Sequence, residues 1–519
     1  MRLQGKAVKA PYKGILRTLQ EDITHPQGWW DMENFVTRNG MPMLVPGYKK
    51  LTDYQFDSAI AYIDEFFMKS GGSMYLLIAT LTDLYQYVAG DDPISLSADF
   101  DGSIDNIFCS DIWTPGDLYL ITNGKNAVQK WDSSSGVEEL GGLDDVEPSG
   151  GTPIVVNTAK LVRCFENFVI LLHTTEDEDP YPQRIRWCVR GLPEMWKNTD
   201  GLGEAGYKDI QEGADWIIGA ELFRDDLAIY KERSIHRLSY VGPPTTFVLR
   251  RVVDGVGLLG QRAIVSLGDE HFFAGSDNFY LFNGEGIVPI GDDVRDIFFE
   301  SVNPQKLDQV TCFMLEETAE IVVAYPSTGS DTPDKFLTYN YAQKSWGKGS
   351  RSLTALGYYQ VETSLIFDNL VGTIAEQTTW WDQRLLLEAA PINLMGDIDG
   401  YLYRLEDGVD ADGTPINGYL EILDRDFGAT GTIKRLQRIG LEFDSPSNDE
   451  MEVSIGCADN SNGTRTWYGP YTITMQDRPV YVDCDLSARF FSFRFATKDG
   501  KPFKLKMYQP LFIPRRSMA

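Results

Sequence analysis

Seven times along its length this chain repeats one short pattern: an apolar run, a turn built from Asp, Asn, Gly or Lys-Glu, and a second run rich in aromatic and β-branched residues. That is how a β-hairpin reads in sequence. The clearest copies are Leu227-Ala-Ile-Tyr-Lys-Glu-Arg-Ser-Ile-His-Arg-Leu-Ser-Tyr240 and His271-Phe-Phe-Ala-Gly-Ser-Asp-Asn-Phe-Tyr-Leu-Phe-Asn-Gly284. The copies begin near Met74, Asp117, Asn167, Asp226, Glu270, Ala319 and Pro391, so successive starts lie 43, 50, 59, 44, 49 and 72 residues apart. A four-stranded propeller blade takes about 40 to 50 residues, and the wider gaps imply insertions. One such sheet cannot bury both of its faces alone, whereas sheets packed face to face around an axis can. The spacing therefore predicts an all-β fold: a β-propeller of six or seven blades with insertions. A pair of unrelated β-sandwiches would also show short strands and frequent turns, and stands as the alternative.

At 519 residues the chain exceeds what one core usually serves, so two or three domains are expected. Residues 1–50 read as an N-terminal arm or first strands, and residues 51–410 as the propeller region. In 411–519 the style changes. Seven stretches there, from Tyr419-Leu-Glu-Ile to Phe503-Lys-Leu-Lys-Met-Tyr508, alternate apolar and polar residues. That alternation predicts a separate antiparallel β-sandwich with one face apolar and one wet.

No apolar run reaches the length that crosses a bilayer, and Met1-Arg-Leu-Gln-Gly-Lys6 lacks the apolar core of a secretion signal. The expectation is a chain made soluble in a cytoplasm. The six cysteines (109, 164, 188, 312, 457, 484) form no C-x-x-C pair, and His25, His173, His236 and His271 are isolated. Neither a zinc site nor a His-based triad is indicated, and no cofactor is expected.

The formal charge is −29, from 47 basic against 76 acidic residues. Affinity for nucleic acid comes largely from Lys and Arg neutralising phosphate, so conventional DNA binding is disfavoured. The acidity is uneven: from Lys434 onward there are 13 basic and 10 acidic residues, leaving 34 basic and 66 acidic before it, a net −32. A solvated surface kept soluble by repulsion explains such a balance by default.

Taken in order, Trp29 and Trp30 near the start suggest an arm that packs against the body or a neighbouring subunit, or else an ordinary first strand. Ser58 to Lys69 reads as a short helix. Glu176-Asp-Glu-Asp-Pro180 places four carboxylates in a row; Glu176, Asp177, Glu178 and Asp179 should repel one another into a solvated loop, with cation binding as the other reading. No calcium-loop spacing surrounds them. Gly255, Gly257 and Gly260 match G-x-G-x-x-G, but the context is β-turn-β, so the segment reads as a connection between blades. Asp407 to Thr414 lacks a calcium loop's spacing and reads as a flexible linker, while Thr378-Thr-Trp-Trp-Asp382 marks an insertion. The tail from Pro514 to Ala519 is basic and expected to be loose.

Propellers host glycosidases that work through paired carboxylates, yet abundance of carboxylates is not pairing. The sialidase S-x-D-x-G-x-T-W turn is absent, Ser276-Asp-Asn-Phe-Tyr280 departing after the aspartate, and no G-x-S-x-G elbow occurs. No catalytic residue is assigned and no enzyme is expected. A carbohydrate-binding or glycoside-cleaving propeller is the alternative reading. An intracellular scaffold finds no Trp-Asp or kelch signature.

Several blocks together resemble one family. They are Trp30-Asp-Met-Glu-Asn-Phe35, Val45-Pro-Gly-Tyr48, Arg184-Ile-Arg-Trp187 with Gly191-Leu-Pro-Glu-Met-Trp196, Leu227 to Ile235, Gly257 with Gly275 to Gly284, and Ala488-Arg-Phe-Phe-Ser-Phe-Arg-Phe495. The likeness is to the tail hub or nozzle proteins of short-tailed bacteriophages, also called tail tubular protein B or packaged-DNA stabilisation proteins. It spans most of the chain, though the acidic run at Glu176 and the insertion at Trp380 match no family pattern. The resemblance implies a structural virion protein: a ring, six-fold in that family, beneath an adaptor ring on the portal side. Its partners would be further copies of itself, the adaptor, tail fibres or spikes, and genomic DNA in transit without sequence specificity. An acidic wall would repel phosphate everywhere along such a passage, with Glu176 to Asp179 as candidate channel or loop carboxylates.

Overall fold

The computed structural model describes residues 4–5, 7–17, 27–70, 72–88, 92–133, 136–146, 153–198, 203–360, 391–428, 431–444, 447–461 and 463–514. The expected insertion around Trp380 and the tail beyond Pro514 lie outside the described residues. Seven antiparallel sheets follow one another along the chain, each built around four strands in simple up-and-down order. Their inner strands are Ile60–Met68, Cys109–Trp113, Val156–Phe165, Ile217–Phe223, Ile264–Ser266, Thr311–Leu315 and Ala355–Tyr359, which we number as blades 1 to 7. The ring closes where blade 7 meets blade 1. Thr354 Oγ1 donates to Ile60 O at 2.6 Å, and a Cβ on Gly357 would lie 2.5 Å from Ile63 Cγ2, so only glycine allows that approach.

Every repeat read from the sequence falls on the second strand of a blade, from Ser73–Thr80 in blade 1 to Ile392–Gly396 in blade 7. That strand is covered on both faces. In Leu118–Thr122, Asp226–Lys231 and His271–Ala274 every residue is buried, which leaves the near-continuous apolar run that the pattern detects. Outer strands such as Ile94–Ser95 and Glu138–Glu139 are two exposed residues long and leave no signal.

Residues expected to form a helix, Ser58 to Lys69, instead contain the inner strand Ile60–Met68. A bulge between Ile60 and Tyr62 breaks the alternation, and both faces of the strand are covered, so Ile60 and Ile63 on one side and Phe66 on the other are all buried at a spacing that imitates a helical face. Asp407 to Thr414 is likewise not a plain linker. Asp410–Ala411 and Thr414–Pro415 form a small hairpin, and Ala411 pairs in parallel with Tyr48 at the rim of blade 7.

The N-terminal segment ties the parts together. Gln4–Gly5 and Val8–Lys9 pair with Leu505–Pro514, Asp31–Glu33 pairs with Tyr419–Arg425, the hairpin Phe35–Arg38/Met41–Leu44 extends blade 6, and Tyr48–Lys50 supplies the fourth strand of blade 7 against Leu402–Leu405. Arg38 locks this path, pairing with Glu320 of blade 6 at 2.7 Å and with Glu406 beside blade 7.

All seven alternating stretches of the C-terminal region are strands of two antiparallel sheets. One holds Lys434–Phe443, Val480–Ala488 and Leu505–Pro514; the other holds Tyr419–Arg425, Glu450–Ala458, Thr466–Thr474 and Phe490–Thr497. Phe491, Phe493, Phe495, Tyr508 and Phe512 fill the space between them. Trp29 is fully buried and meets Phe495 edge-on at 6.3 Å, so one of the two N-terminal tryptophans belongs to this core. Trp29→Ala should cost roughly 3–5 kcal/mol, the range for emptying a large aromatic site. Urea unfolding of the variant checks this; a loss below about 1 kcal/mol would show that the segment does not help hold the sandwich.

The propeller axis as a candidate functional site

The seven inner strands run parallel to one another and enclose an axial cavity of about 260 Å³. Its wall carries more polar groups than a packed core would, including Asp64, Arg163, Glu221 and Arg262. The first three recur at matching points of inner strands in blades 1, 3 and 4, and Asp111 does the same in blade 2. Each ties adjacent blades together. Arg163 donates to Ala220 O at 2.8 Å, to Ser110 O and Val162 O at 3.0 Å, and to Cys109 Sγ at 2.8 Å, and meets Glu221 at 3.3 Å. Asp64 accepts from Ser110 Oγ, from Tyr119 OH at 3.2 Å and from Glu65 N at 2.9 Å. Asp111 accepts from Ile112 N at 2.7 Å and Cys164 N at 2.8 Å.

At the end where the blade-to-blade connections enter, side chains reach across the axis. Arg262, just before the inner strand of blade 5, donates to Ala61 O of blade 1 at 3.0 Å and lies over the Tyr62 ring at 5.7 Å. Gln261 donates to Lys160 O at 3.2 Å, Gln309 to Ile104 O, and Lys306 pairs with Asp105 at 2.6 Å. At the other end the inner strands expose Phe67 (48%), Leu222 (40%) and Tyr358 (48%). The axis is thus a polar pocket pinned shut at one end and rimmed by apolar side chains at the other.

Burial sets the electrostatics. It holds the Asp64 carboxyl above the usual range despite its three donors, and pushes Asp111 up to about 6 against the pull of Arg163. Burial also raises the Cys109 thiol and lifts Cys188 to about 12, which favours the thiol over the thiolate at both. The His271 ring is held neutral by burial, with Nε2 donating to Leu222 O at 2.8 Å and Nδ1 accepting from Tyr230 OH at 2.8 Å. Among the described residues no cluster of three or more His, Cys, Asp or Glu has the arrangement to hold a metal ion, and no helix is long and apolar enough to cross a membrane.

The carboxylates singled out in the sequence lie elsewhere, in blade 3, and do not act as a set. Glu176 is not in a solvated loop: it ends the strand Phe168–Glu176 and is 2% exposed. It pairs with Arg184 at 2.7 Å, accepts from Arg186 Nε at 2.8 Å and from Thr174 Oγ1 at 2.8 Å. Burial alone would raise its pKa; Arg186, Thr174 and Arg184 outweigh that and hold it below the usual range. Asp177 and Glu178, with φ of 49° and 70°, form the two-residue turn of a tight hairpin, and Asp179 opens the next strand. These three are exposed. Local composition concealed the arginines that cross the hairpin to Glu176. The glycine-rich segment Gly255 to Gly260 joins blade 4 to blade 5 as expected. A Cβ on Gly257 would sit 2.0 Å from Lys231 O, so that glycine serves close packing and no phosphate. The axial groups were missed altogether; a charged residue recurring in apolar inner strands with the blade period is the signal that marks them.

These sheets define a seven-bladed β-propeller carrying an antiparallel β-sandwich. No protein-family model matches the chain, and no curated protein matches it. Among solved structures it is similar to the Pan2 WD40 domain of Neurospora crassa, at 7% identity over 70% of this chain and 98% of that one, with a TM-score of 0.38. It is also similar to the exo-β-1,3-galactanase of Phanerochaete chrysosporium, at 10% identity over 91% of this chain and all of that one, with a TM-score of 0.24.

Two outcomes are expected. Glu176→Gln leaves buried Arg186 without a counter-charge, while Arg184 keeps Asp209, and should destabilise by roughly 3 kcal/mol, whereas exposed Glu178→Gln should stay within about 0.5 kcal/mol. Equal effects in urea unfolding would refute the burial of Glu176. Asp111 has a folded pKa of about 6, above the roughly 3.9 of an unfolded aspartate. Between these values the folded chain holds the extra proton, so this carboxyl's contribution is full below about pH 4 and declines up to about pH 6. Asp111→Asn should remove that decline, and the variant's stability relative to the parent should improve as pH rises through the window. A pH-independent difference would count against the assignment.

Proposed function

We propose that this chain is a structural subunit of the tail nozzle or hub of a short-tailed bacteriophage, assembling with copies of itself into a ring, six-fold by the resemblance, around the passage for the genome. The adaptor ring on the portal side and the tail fibres or spikes are its proposed neighbours, the virion tail its proposed location, and its role is mechanical rather than catalytic. The observation that carries the reading is where the charge lies. Inside the fold, six carboxylates are matched by cations, Glu176 by Arg184, Asp215 by Lys231, Asp226 by Arg237, Glu320 by Arg38, Asp424 by Arg465 and Glu421 by Arg494, while Asp64 and Asp111 are held by neutral donors. The surplus behind the net −29 is left for the surface. A surface that repels phosphate at every point holds a polyanion without trapping it, which suits a conduit better than a binding site.

The closed axis supports a passage between subunits and not through one. A cavity of about 260 Å³, crossed by Arg262, has no room for a duplex whose major groove alone is about 12 Å wide. The blocks that carry the resemblance are also spread through the structure. Trp30 to Phe35 leads from the sandwich to blade 6, Arg184 to Trp187 belongs to blade 3, Leu227 to Ile235 to blade 4, Gly275 to Gly284 to blade 5, and Phe490–Thr497 to the sandwich. Asp177, Glu178 and Asp179 are the candidate wall carboxylates; Glu176, buried and bound internally, cannot face a passage.

Electron microscopy of the purified chain, and of tails containing it, should show rings with a central opening lined by carboxylates, and glycan screening should find no ligand. A persistent monomer that binds an oligosaccharide, or a ring with a neutral or basic bore, would overturn the proposal.

A further inference from the structure

We propose that the pinned end of the axial cavity is a binding site for a small oxyanion, a carboxylate or phosphate group, anchored by Arg262. The inference concerns the interior of one subunit and stands apart from the assembly in which that subunit works.

The argument begins with the charges that face the cavity. Arg163 and Glu221 satisfy each other, and Arg163 spends its remaining donors on three carbonyls and a sulfur. Asp64 is saturated by three donors. Arg262 differs from both. Among the described residues no carboxylate lies within ion-pair distance of it, its Nε is buried without a partner, and the one hydrogen bond of its side chain goes from Nη1 to Ala61 O at 3.0 Å. An aspartate in this position could neutralise itself; a guanidinium cannot shed its proton. Burial does pull its pKa down, the direction expected for a cation deep in the fold without a counter-charge.

Position and shape indicate what would supply that charge. The guanidinium lies over Tyr62, which fixes its plane, and Nη2 meets no acceptor among the described residues. A planar fork with donors facing a cavity matches the paired oxygens of a carboxylate or phosphate better than a spherical ion. The volume of about 260 Å³ accommodates the equivalent of roughly eight waters at about 30 Å³ each, enough for a small oxyanion with part of its hydration. With the connection end crossed by Arg262, Gln261 and Gln309, the ligand would enter past Phe67, Leu222 and Tyr358.

Thermal unfolding of the full chain, in acetate, inorganic phosphate or chloride at equal ionic strength, tests the proposal. Acetate or phosphate should give a saturable rise in Tm of about 2–3 °C at a hundredfold excess over Kd, with chloride giving none. Whichever acts separates a carboxylate site from a phosphate site. Arg262→Gln should abolish the response, and Glu178→Gln on the surface should preserve it. Absence of any saturable response in the parent protein, or an undiminished response in Arg262→Gln, would overturn the site. Should Arg262→Gln fail to fold, crystals of the parent protein soaked in selenate decide the matter. Anomalous density beside Arg262 supports the site, and a cavity holding only water removes it.

Discussion

A β-sheet with two apolar faces has no stable life alone, and everything in this molecule follows from covering fourteen such faces at once. Seven blades achieve this by packing in a closed circle, which needs the last blade to meet the first across a contact as tight as any other. At that seam Gly357 on the inner strand of blade 7 and Gly396 on its second strand let the inner strand of blade 1 approach closely, a Cβ on either falling 2.5 Å from an isoleucine methyl. Larger side chains there would wedge the circle open.

Polar groups then decide how rigid the circle is. Along the axis, Asp64, Asp111 and Arg163 each bridge two neighbouring blades, so the innermost layer is cross-linked by charge-assisted hydrogen bonds and not only by apolar contact. Further out, Glu176 is clamped within blade 3 by Arg184 and Arg186, with Arg184 continuing to Asp209 on the outer strand at 2.8 Å. Such networks cost desolvation, and a shift in the register of the hairpin that carries Asp177 and Glu178 would part Glu176 from Arg184 and Arg186.

What could be read from the sequence and what could not divide along physical lines. The second strand of every blade was legible because burial on both faces forces an uninterrupted apolar run, and the seven sandwich strands because one wet face enforces alternation. The inner strand of blade 1 was misread as helical because a bulge shifted its spacing. Tyr48–Lys50 could not be placed, since its partner Leu402–Leu405 lies hundreds of residues away and three residues hold no pattern. Glu176 was misjudged because four adjacent carboxylates suggest repulsion, while its arginines approach only once the hairpin folds back. Asp64, Arg163 and Arg262 were invisible for a related reason: each is one polar letter in an apolar word, and its role exists only when seven strands converge.

The strand Tyr48–Lys50 also sets a timetable. Lys50 pairs with Tyr403, so the circle cannot be completed until the ribosome has passed the end of blade 7, although its closing piece is made before any of the seven inner strands. Until then blades 1 to 6 stand as an open arc with two uncovered sheet faces, and the early segment must wait unpaired. Once joined, both extremities of the arc meet in one seam, and blade 7 cannot shed its outer strand without breaking a pairing between residues about 350 positions apart.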